Sequence, residues 1–537
     1  MKQNKTYIKA QKALHSGNYR KCVSLANELI RNAPENLVYL MLRGEAYLHL
    51  EEYELGLSDL AKSVEIDGKN IVALINFSVA LIRTNRQSDA KEILEYVLEI
   101  DPNNFDAHIN LGNVYQSLHQ PETALKIAFR AVELNPGSTL AYNNLATALG
   151  DLQYIEESRQ ALITAYEIDP TSITAAINLA QVEEKLDDRR SAISLYEKAL
   201  ALKNITPSYT NLIKYYLSYS YLYFGDLEKG WTHYDLGFSP LLPIGAIRSK
   251  RKFKQKKWNG EPLATGQKLL IWREQGLGDE IDFSTCLFDL ALLEIDVILE
   301  CESRLVDLFK RTFPKFEIRG ELIGCDAYPF KEDFDYHCPV GSLPGIFRKE
   351  ITQFKDQPPL FIPVNSLFEK FKALLEPFNE KILVGISWRG GKLSANRNLN
   401  YTGLVDWGDL LTDKKIQFVN LQYGECESEL IEAENKFGIE ILRWPNIDLK
   451  NDLESLVALI ANLHFVVSVG TAVSSIAPAT GTNTLLLTKK SWIMLGQNKA
   501  YPWFSKVTPI VANLDQHLAE KIPYAHNIII EAQIKKH

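Results

Sequence analysis

The stretch NLGNVYQSLHQPETALKIAFRAVELNP, residues 110–136, is the clearest unit of a repeat that decides the fold of the N-terminal part of the chain. A helix-ending residue recurs every 34 positions, at Pro34, Gly68, Pro102, Pro136 and Pro170. Small side chains recur at the same interval within each unit, in the sets Gly44, Ser78, Gly112, Ala146, Ala180; Gly56, Ala90, Ala124, Ser158, Ala192; and Ser63, Val97, Ala131, Ala165, Ala199. Such residues let two helices approach closely, so each unit is predicted to be a helical hairpin.

This pattern resembles the tetratricopeptide-repeat (TPR) family over about residues 3–203. The resemblance implies six stacked hairpins that form a superhelical solenoid with a concave, protein-binding groove. A degenerate seventh unit, marked by Gly225-Asp226-Leu227 and Gly230-Trp231, needs about four extra residues. The predicted array therefore covers residues 1–237 and contains six or seven repeats.

Asparagines recur along the predicted groove. Asn110, Asn144 and Asn178 lie 34 residues apart, and Asn143 precedes the second of them. Side-chain amides in a ladder can hydrogen-bond the backbone of a bound peptide, which makes the three repeating asparagines candidate acceptor-binding residues. Polarity between packed helices is the alternative, and it stays open.

Composition bounds the class of protein. A chain of 537 residues is too long for one core, and its net charge of −8 argues against nucleic acid as the main partner. No window reaches the roughly 18 uninterrupted apolar residues of a membrane span, and the N-terminal MKQNKTYIKA lacks an apolar signal core. The six cysteines are scattered without metal-ligand spacing. We expect a cytoplasmic protein with reduced, buried thiols and no metal site. Repeat arrays often self-associate, so a homo-oligomer is left open.

A basic stretch follows the array. RSKRKFKQKKW, residues 248–258, holds seven basic residues in eleven, within a predicted linker over residues 238–262. A solvated linker is the simpler interpretation. Docking against an acidic face, or steering an anionic donor, is the alternative.

From Lys268 onward short apolar runs alternate with helical segments, which predicts parallel βαβ units. The expected strands are KLLIW, VILEC and FDYHCP, and then ILVGIS, IQFVNLQ, IEILRW, FVVSV and TLLLT. They predict two Rossmann-like halves, residues 263–375 and 376–537, facing a cleft. The fold class is therefore α + α/β, a solenoid followed by two such domains.

Ligands of open parallel sheets bind beyond the carboxyl ends of the strands, so the loops there are candidate sites. In the first loop, residues 273–280, Gly276 and Gly278 permit close backbone approach, and Asp279 points into the cleft unless it is only an N-cap. In the second, Arg389, Lys392 and Arg397 suit a diphosphate, unless the loop is merely a basic surface.

The third loop, residues 469–475, opens a helix with Gly, Thr and Ser. Its free backbone N–H groups, hydroxyls and positive dipole end favour a phosphate. The second and third loops together therefore predict a nucleotide-binding site.

Loop one, FDYHCPVGSLP, VGISWRG, VNLQYGE and SVGTAVSSIAPATG stand in the order seen in bacterial TPR-linked glycosyltransferases. They resemble the heptosyltransferase family and, more distantly, the O-linked N-acetylglucosamine transferases, over about residues 231–505. The resemblance implies a GT-B fold, inverting transfer, no required metal, no cofactor, and a nucleotide-sugar as co-substrate.

The resemblance also assigns roles to residues. Asp279 matches the position of the base. The implied donor-binding residues are Gln275, Gly276, Gly278, Trp388, Arg389, Lys392, Gln422, Gly470, Thr471, Ala472, Ser474 and Ser475. Gly470 stands where the family usually has Asp, and Ser475 where it often has His, which leaves the donor sugar and full activity open. Asp333-Phe334-Asp335 resembles a DxD metal motif but lacks the surroundings of a metal-dependent transferase.

The expected function is transfer of a sugar from a nucleotide-activated donor to Ser or Thr of a protein held by the TPR groove. Asp279, with an ordinary pKa near 3.9, would take the acceptor proton. TPR-bearing members of the family are associated with flagellin glycosylation, so flagellin is the first acceptor candidate, with a CMP-sugar as one donor. A non-catalytic adaptor with a degenerate transferase domain and a lipopolysaccharide sugar transferase are the alternatives.

Overall fold

The computed structural model describes residues 2–239, 241–242, 248, 251, 253–321, 331, 333–390 and 400–534. It divides into two compact units, Met1–Ile205 and Thr206–His537, which are described separately. No helix in the described part of the chain is long and apolar enough to span a lipid bilayer.

The first unit consists of six helical hairpins, as the repeat predicts. Their helices are α1 Lys2–His15, α2 Tyr19–Asn32, α3 Leu37–His49, α4 Tyr53–Ile66, α5 Ile71–Arg83, α6 Gln87–Ile100, α7 Phe105–Ser117, α8 Pro121–Leu134, α9 Thr139–Asp151, α10 Ile155–Ile168, α11 Ile173–Lys185 and α12 Arg189–Leu200. Small residues lie where the paired helices touch. A Cβ added at Gly44 would lie 2.8 Å from Leu60 Cγ, and one at Gly56 would lie 2.8 Å from Leu48 Cδ2.

Local chemistry at both ends of each hairpin fixes the period. The first helices of the second to sixth hairpins begin after side chains that accept from backbone N–H groups of the first turn: Asn36, Asn70, Asn104, Ser138 and Ser172. The chain reverses between paired helices at residues with positive φ: Gly17, Glu51, Asn85, His119, Gln153 and Asp187. Both sets recur every 34 residues, so caps and turns set the same register as the small residues.

The seventh hairpin keeps this register but belongs to the second unit. Its helices are α13 Pro207–Phe224, capped by Thr206, and α14 Leu227–Tyr234. Gly225 makes the turn with φ of 85°, 38 residues after Asp187, which confirms the four extra residues. The division after Ile205 differs from the sequence-based boundary at 237. The reason is aromatic packing of this hairpin on the sheets, including Trp231 on Phe283 and Trp503, with ring centroids 6.4 Å apart in both pairs.

The second unit contains two parallel sheets. The first has β1 Lys256–Lys257, β2 Lys268–Trp272, β3 Asp296–Cys301, β4 Glu317–Gly320 and β5 Tyr336–Pro339, in the order β1-β5-β2-β3-β4. The second has β6 Ile382–Ser387, β7 Ile416–Asn420, β8 Ile441–Leu442, β9 Phe465–Val469, β10 Asn483–Lys489 and β11 Val507–Ala512, in the order β11-β10-β9-β6-β7-β8. Every expected strand is present, and β1, β4 and β11 are additional. The C-terminal region is therefore α/β.

Helices and short connections cover the sheets. They are α15 Leu277–Ser284, α16 Leu287–Ala291, α17 Val306–Thr312, α18 Leu343–Phe347, α19 Asn365–Leu375, α20 Gly408–Leu411, α21 Glu427–Phe437, α22 Leu453–Ile460, α23 Ala472–Ala479 and α24 Ile522–Ile534. The five described cysteines are free and buried thiols.

The basic stretch is docked rather than solvated. Lys256 and Lys257 form β1, which pairs with β5, and Trp258 is 1% exposed. Arg248 pairs with Glu274, and Arg251 Nη2 lies 2.6 Å from Glu300 Oε1. The solvated-linker interpretation is therefore wrong for these residues, and docking against carboxylates is confirmed. Residues 243–247, 249–250 and 252 lie outside the described residues.

The position of the seventh hairpin predicts where the chain can be cut. A fragment of residues 206–537 should fold cooperatively, whereas one of residues 231–537 should not, because it lacks buried side chains such as Leu222 and Leu227. Losing each large core side chain costs ~2–5 kcal/mol, and several losses exceed a typical stability of ~5–15 kcal/mol. Circular dichroism melts of both fragments test this; equal melting temperatures would contradict it.

Candidate functional site

Strand order opens a crevice in each sheet. In the second sheet β6 and β9 are neighbours, and the chain continues from them to opposite edges. In the first sheet β2 and β5 stand in the same relation. Loops that leave neighbouring strands in opposite directions separate, and ligands bind in the gap at the carboxyl ends.

A cavity of about 740 Å³ lies between the two sheets within the second unit. From the first sheet it is lined by Gly276, Gly278, Asp279 and Asp282. From the second it is lined by Gly390, Asn400, Tyr401, Tyr423, Gly424, Lys450, Gly470, Thr471, Ala472, Ser474, Ser475, Leu486, Thr488, Ser491, Trp492, Ile493 and Tyr501. Thus residues predicted from loops one and three, almost 200 positions apart in the sequence, meet at one site.

Asp279 occupies the first turn of α15 and faces this cavity. Its alternative role as an N-cap is wrong, because the helix begins at Leu277 and the cap is Gly276. Burial raises the pKa of the Asp279 carboxyl above its ordinary value, while the charge of Arg248 and the backbone N–H of Gly276 oppose the rise. The expectation of an ordinary pKa near 3.9 is therefore corrected, and the physical cause is desolvation.

Asp282, one helical turn further on, is a second carboxyl that the sequence analysis missed. Burial raises its pKa to about 7; hydrogen bonds from Tyr501 and Ser475 lower it, and the charge of Asp279 raises it. Tyr501 Oη donates to Asp282 Oδ2 over 2.6 Å. The i, i+3 spacing from Asp279 on a helix was the available signal. The two carboxyls titrate as a coupled pair.

Helix α23 begins at the cavity after β9. Thr471 is its N-cap; the Thr471 N–H donates to Ser474 Oγ (3.2 Å), and Ser474 Oγ donates to the Thr471 carbonyl (2.7 Å). A Cβ built on Gly470 meets no atom within 4 Å, so space is open there. The first N–H groups of a helix have no intrahelical acceptor and carry partial positive charge, which suits an anion.

The prediction that Arg389 grips a phosphate is corrected. Its Nη2 lies 2.5 Å from Glu429 Oε1 and donates to the Glu425 carbonyl over 2.6 Å. The adjacent Trp388 is fully buried, and the N–H groups of Trp388 and Arg389 donate to Gln422 Oε1, each over 3.1 Å. The three residues therefore fix the loop after β6 and do not line the cavity. Lys392 and Arg397 lie outside the described residues.

A second cavity of about 710 Å³ lies at the carboxyl ends of β7 and β8. It shares Tyr423, Gly424 and Lys450 with the first cavity, and Trp444 and Ile447 add apolar surface. Lys450 is an exposed cation at the junction of the two cavities. No motif marked Lys450 in the sequence, because it lies in a turn rather than directly after an expected strand.

Asp333 and Asp335 have structural partners. Arg319 Nη1 lies 3.0 Å from Asp333 Oδ2, and the Lys268 N–H donates to Asp335 Oδ2 over 2.8 Å. Phe334 between them is buried. The DxD pattern thus joins the strands of the first sheet.

The asparagines of the repeat unit connect neighbouring hairpins. Asn144 Nδ2 donates to the Ile109 carbonyl over 3.1 Å, and Asn178 Nδ2 donates to Asn143 Oδ1 over 3.0 Å. Asn144 is buried, whereas Asn110 and Asn178 are half-buried. These bonds are the helix-packing polarity of the alternative interpretation. Peptide binding by Asn110, Asn144 and Asn178 stays a prediction.

Models of the tetratricopeptide repeat match residues 93–126, 140–172 and 173–206. The chain contains tetratricopeptide repeats. Protein FlbA of Caulobacter vibrioides is 34% identical over 296 residues, which are 53% of this chain and 49% of FlbA. The chain thus spans about half the length of this curated relative.

Solved repeat structures are also similar to parts of this chain. MamA from Desulfovibrio magneticus RS-1 is 22% identical over 32% of this chain and 97% of its own, with a TM-score of 0.28. YrrB, described as a TPR protein with an unusual peptide-binding site, is 24% identical over 33% of this chain and 92% of its own, with a TM-score of 0.27. The Cut9–Hcn1 assembly is 17% identical over 42% and 44%, with a TM-score of 0.38.

Proposed function

We propose that the second unit is a metal-independent GT-B glycosyltransferase that moves a sugar from a nucleotide-activated donor to Ser or Thr of a protein acceptor. The observation that carries the proposal is the shared cavity, in which Asp279 from one sheet faces the Thr471 helix start from the other. Both sheets contribute the crevice beside their central strand, where open α/β sheets bind ligands. The cavity volume is in the range of small-molecule sites.

The donor would span both cavities. Its phosphates would lie at the start of α23, where Gly470 leaves space and free N–H groups offset negative charge. Its nucleoside would pass Tyr423 and Gly424 into the second cavity, beside Trp444. Lys450, at the junction, would balance the charge of the leaving phosphate. The nucleotide-sugar is a co-substrate, and the proposal needs no cofactor.

Asp279 would act as the general base. The acceptor hydroxyl oxygen bonds to the anomeric carbon, the bond from that carbon to the donor phosphate breaks, and the hydroxyl proton passes to Asp279. The raised pKa makes the carboxylate a stronger base, provided that the pH keeps it ionised. Activity should therefore fall as the pH falls through the folded-state pKa of Asp279, above the ordinary value near 3.9.

The repeat unit would bind the protein acceptor, because TPR solenoids carry concave protein-binding surfaces. Flagellin stays the first acceptor candidate, on the family resemblance alone. A lipopolysaccharide sugar transferase would leave the repeats without a role. The adaptor alternative has specific support, since Gly470 and Ser475 depart from the family and Arg389 is bound to Glu429.

A thermal-shift screen of the full chain against UDP, GDP, ADP, CMP and their sugars tests the proposal. A ligand at 100 times its Kd stabilises the folded state by about 2.7 kcal/mol, which raises the melting temperature by several degrees. We expect one nucleotide class to produce this shift. No shift across the panel at millimolar concentration would favour the adaptor.

A further inference from the structure

Arg248 is a buried guanidinium beside the loop after β2. The residue is 8% exposed although it lies in the basic stretch, and its N–H donates to the Gly237 carbonyl over 3.1 Å. Its guanidinium lies over the Tyr234 ring, 3.9 Å from the centroid. A buried cation costs free energy unless its partners compensate for lost hydration, so this position needs an explanation.

Two glycines make room for it. A Cβ at Gly237 would lie 2.7 Å from Arg248 Cδ and 2.5 Å from Tyr215 Cε2. A Cβ at Gly341 would lie 2.2 Å from Glu274 Oε1 and 2.9 Å from Arg248 Nη2. Real Cβ atoms do not approach so closely, so any other residue at either position would displace Arg248 or its partner. The slot is therefore specific to this ion pair.

The partner of Arg248 is Glu274, whose side chain is fully buried. Arg248 Nε donates to Glu274 Oε2 over 2.8 Å, and Nη2 contacts Glu274 Oε1. Such a two-point contact, with an aromatic face above it, is the geometry in which a buried arginine is best compensated. The pair is thus a fixed support directly beside the cavity loop.

Gln275 connects this pair to Asp279. The side-chain amide satisfies its neighbours when its nitrogen donates to Asp279 Oδ2 over 3.2 Å and its oxygen accepts from Arg248 Nη2 over 3.2 Å. The same oxygen accepts from Tyr234 Oη. This orientation is the one that the hydrogen-bond network favours. The carboxylate is therefore held by an amide that Arg248 itself orients.

We infer that Arg248 is a positioning residue for Asp279: through Gln275 it fixes the carboxylate, and its charge favours the ionised form. The inference rests on the proposed function. The other groups around Asp279 are Asp282 on the same helix, Tyr234 of α14, and Tyr501 and Lys450 of the second sheet. Arg248 is the cation whose charge lowers the pKa of Asp279.

The first test measures the pH dependence of transfer by Arg248→Met, Arg248→Lys and the control Arg251→Met. Arg251 lies in the same stretch but pairs with Glu300. Arg248→Met should lower kcat at least tenfold and move the acidic limb to higher pH, because Asp279 loses a stabilising charge. Arg248→Lys should restore part of both. An unmoved limb in Arg248→Met, or an equal movement in Arg251→Met, would overturn the inference.

A second test needs no transfer activity. The melting temperatures of wild type, Arg248→Met, Asp279→Asn and the double variant are compared across pH. Without Arg248 the folded pKa of Asp279 rises further, so the folded state binds an extra proton and stability falls as pH rises through that window. The unpaired Glu274 adds a similar term in both backgrounds, so the difference between backgrounds isolates Asp279.

A pH-dependent coupling between Arg248 and Asp279 supports the inference even if no sugar is transferred. Absence of coupling overturns it even if transfer is found. If Arg248→Met does not fold, the same cycle with Gln275→Leu tests the connecting amide. The two tests therefore separate failure of the positioning role from failure of the proposed function.

Discussion

Asp279→Asn should abolish sugar transfer, with a fall in kcat of roughly 10²–10⁴-fold, while the protein stays folded and still binds its donor. Asn has the shape of Asp but cannot take the acceptor proton. Because burial disfavours the carboxylate, the substitution should leave the melting temperature unchanged or higher at neutral pH. Initial rates and nucleotide-induced thermal shifts measure both effects.

Asp282→Asn is the matched comparison. It removes a carboxyl one turn away that also lines the cavity, but a pKa of about 7 leaves Asp282 largely protonated just below neutral pH. A smaller loss than that of Asp279→Asn is expected, measured at pH 6.5. If Asp279→Asn kept more than a tenth of the wild-type rate, or if the two variants lost activity equally, Asp279 would not be the base.

Gly470→Trp should remove donor binding. A Cβ at Gly470 meets no atom within 4 Å, and its φ is not positive, so a large side chain can extend into the cavity without backbone strain. It would occupy the space proposed for the donor phosphates at the start of α23. The nucleotide-induced thermal shift should vanish, which corresponds to at least 100-fold weaker binding at ligand concentrations near 100 times Kd.

Gly137→Trp serves as the control. Gly137 lies in an exposed turn of the repeat unit, also without a positive φ, and a Cβ there makes only an ordinary contact at 3.6 Å with Asn135 Oδ1. This variant should bind nucleotide like wild type. A full thermal shift in Gly470→Trp would show that the donor does not occupy this part of the cavity.

The repeat was predictable because caps, turns and small residues all share one interval. The boundary of the units was not. Tyr219 and Trp231 stand in a hairpin with the repeat register, yet their partners Trp492 and Trp503 lie far along the chain. Periodicity reports how a helix pair is built, and it carries no information about which distant surface the pair covers.

The strands show the same division. The buried central strands are continuous apolar runs, and the sequence analysis identified them. The missed strands β1, β4 and β11 are all edges of their sheets. An edge strand is paired on one side only, so it can be short and polar like β1, or contain a proline, as β11 does at Pro509.

At the site, glycine and hydroxyl residues after strands were predictable because strand order places those loops at the crevice. The partners of charged side chains were not. Glu429 binds Arg389 from 40 residues away, and Glu274 takes Arg248 out of a stretch that looked solvated. A basic run suggests an anionic ligand only while its counterions are unknown.

The most direct test of the central claim is the intact mass of an acceptor protein. The full chain is incubated with purified flagellin and the nucleotide-sugar that gives the thermal shift, beside a parallel reaction with Asp279→Asn. The account predicts that wild type adds whole sugar residues to Ser or Thr, and that the variant leaves the mass unchanged. The same mass gain from both proteins would contradict base catalysis by Asp279, and no gain from wild type on flagellin or any other protein offered would contradict the assignment as a protein glycosyltransferase.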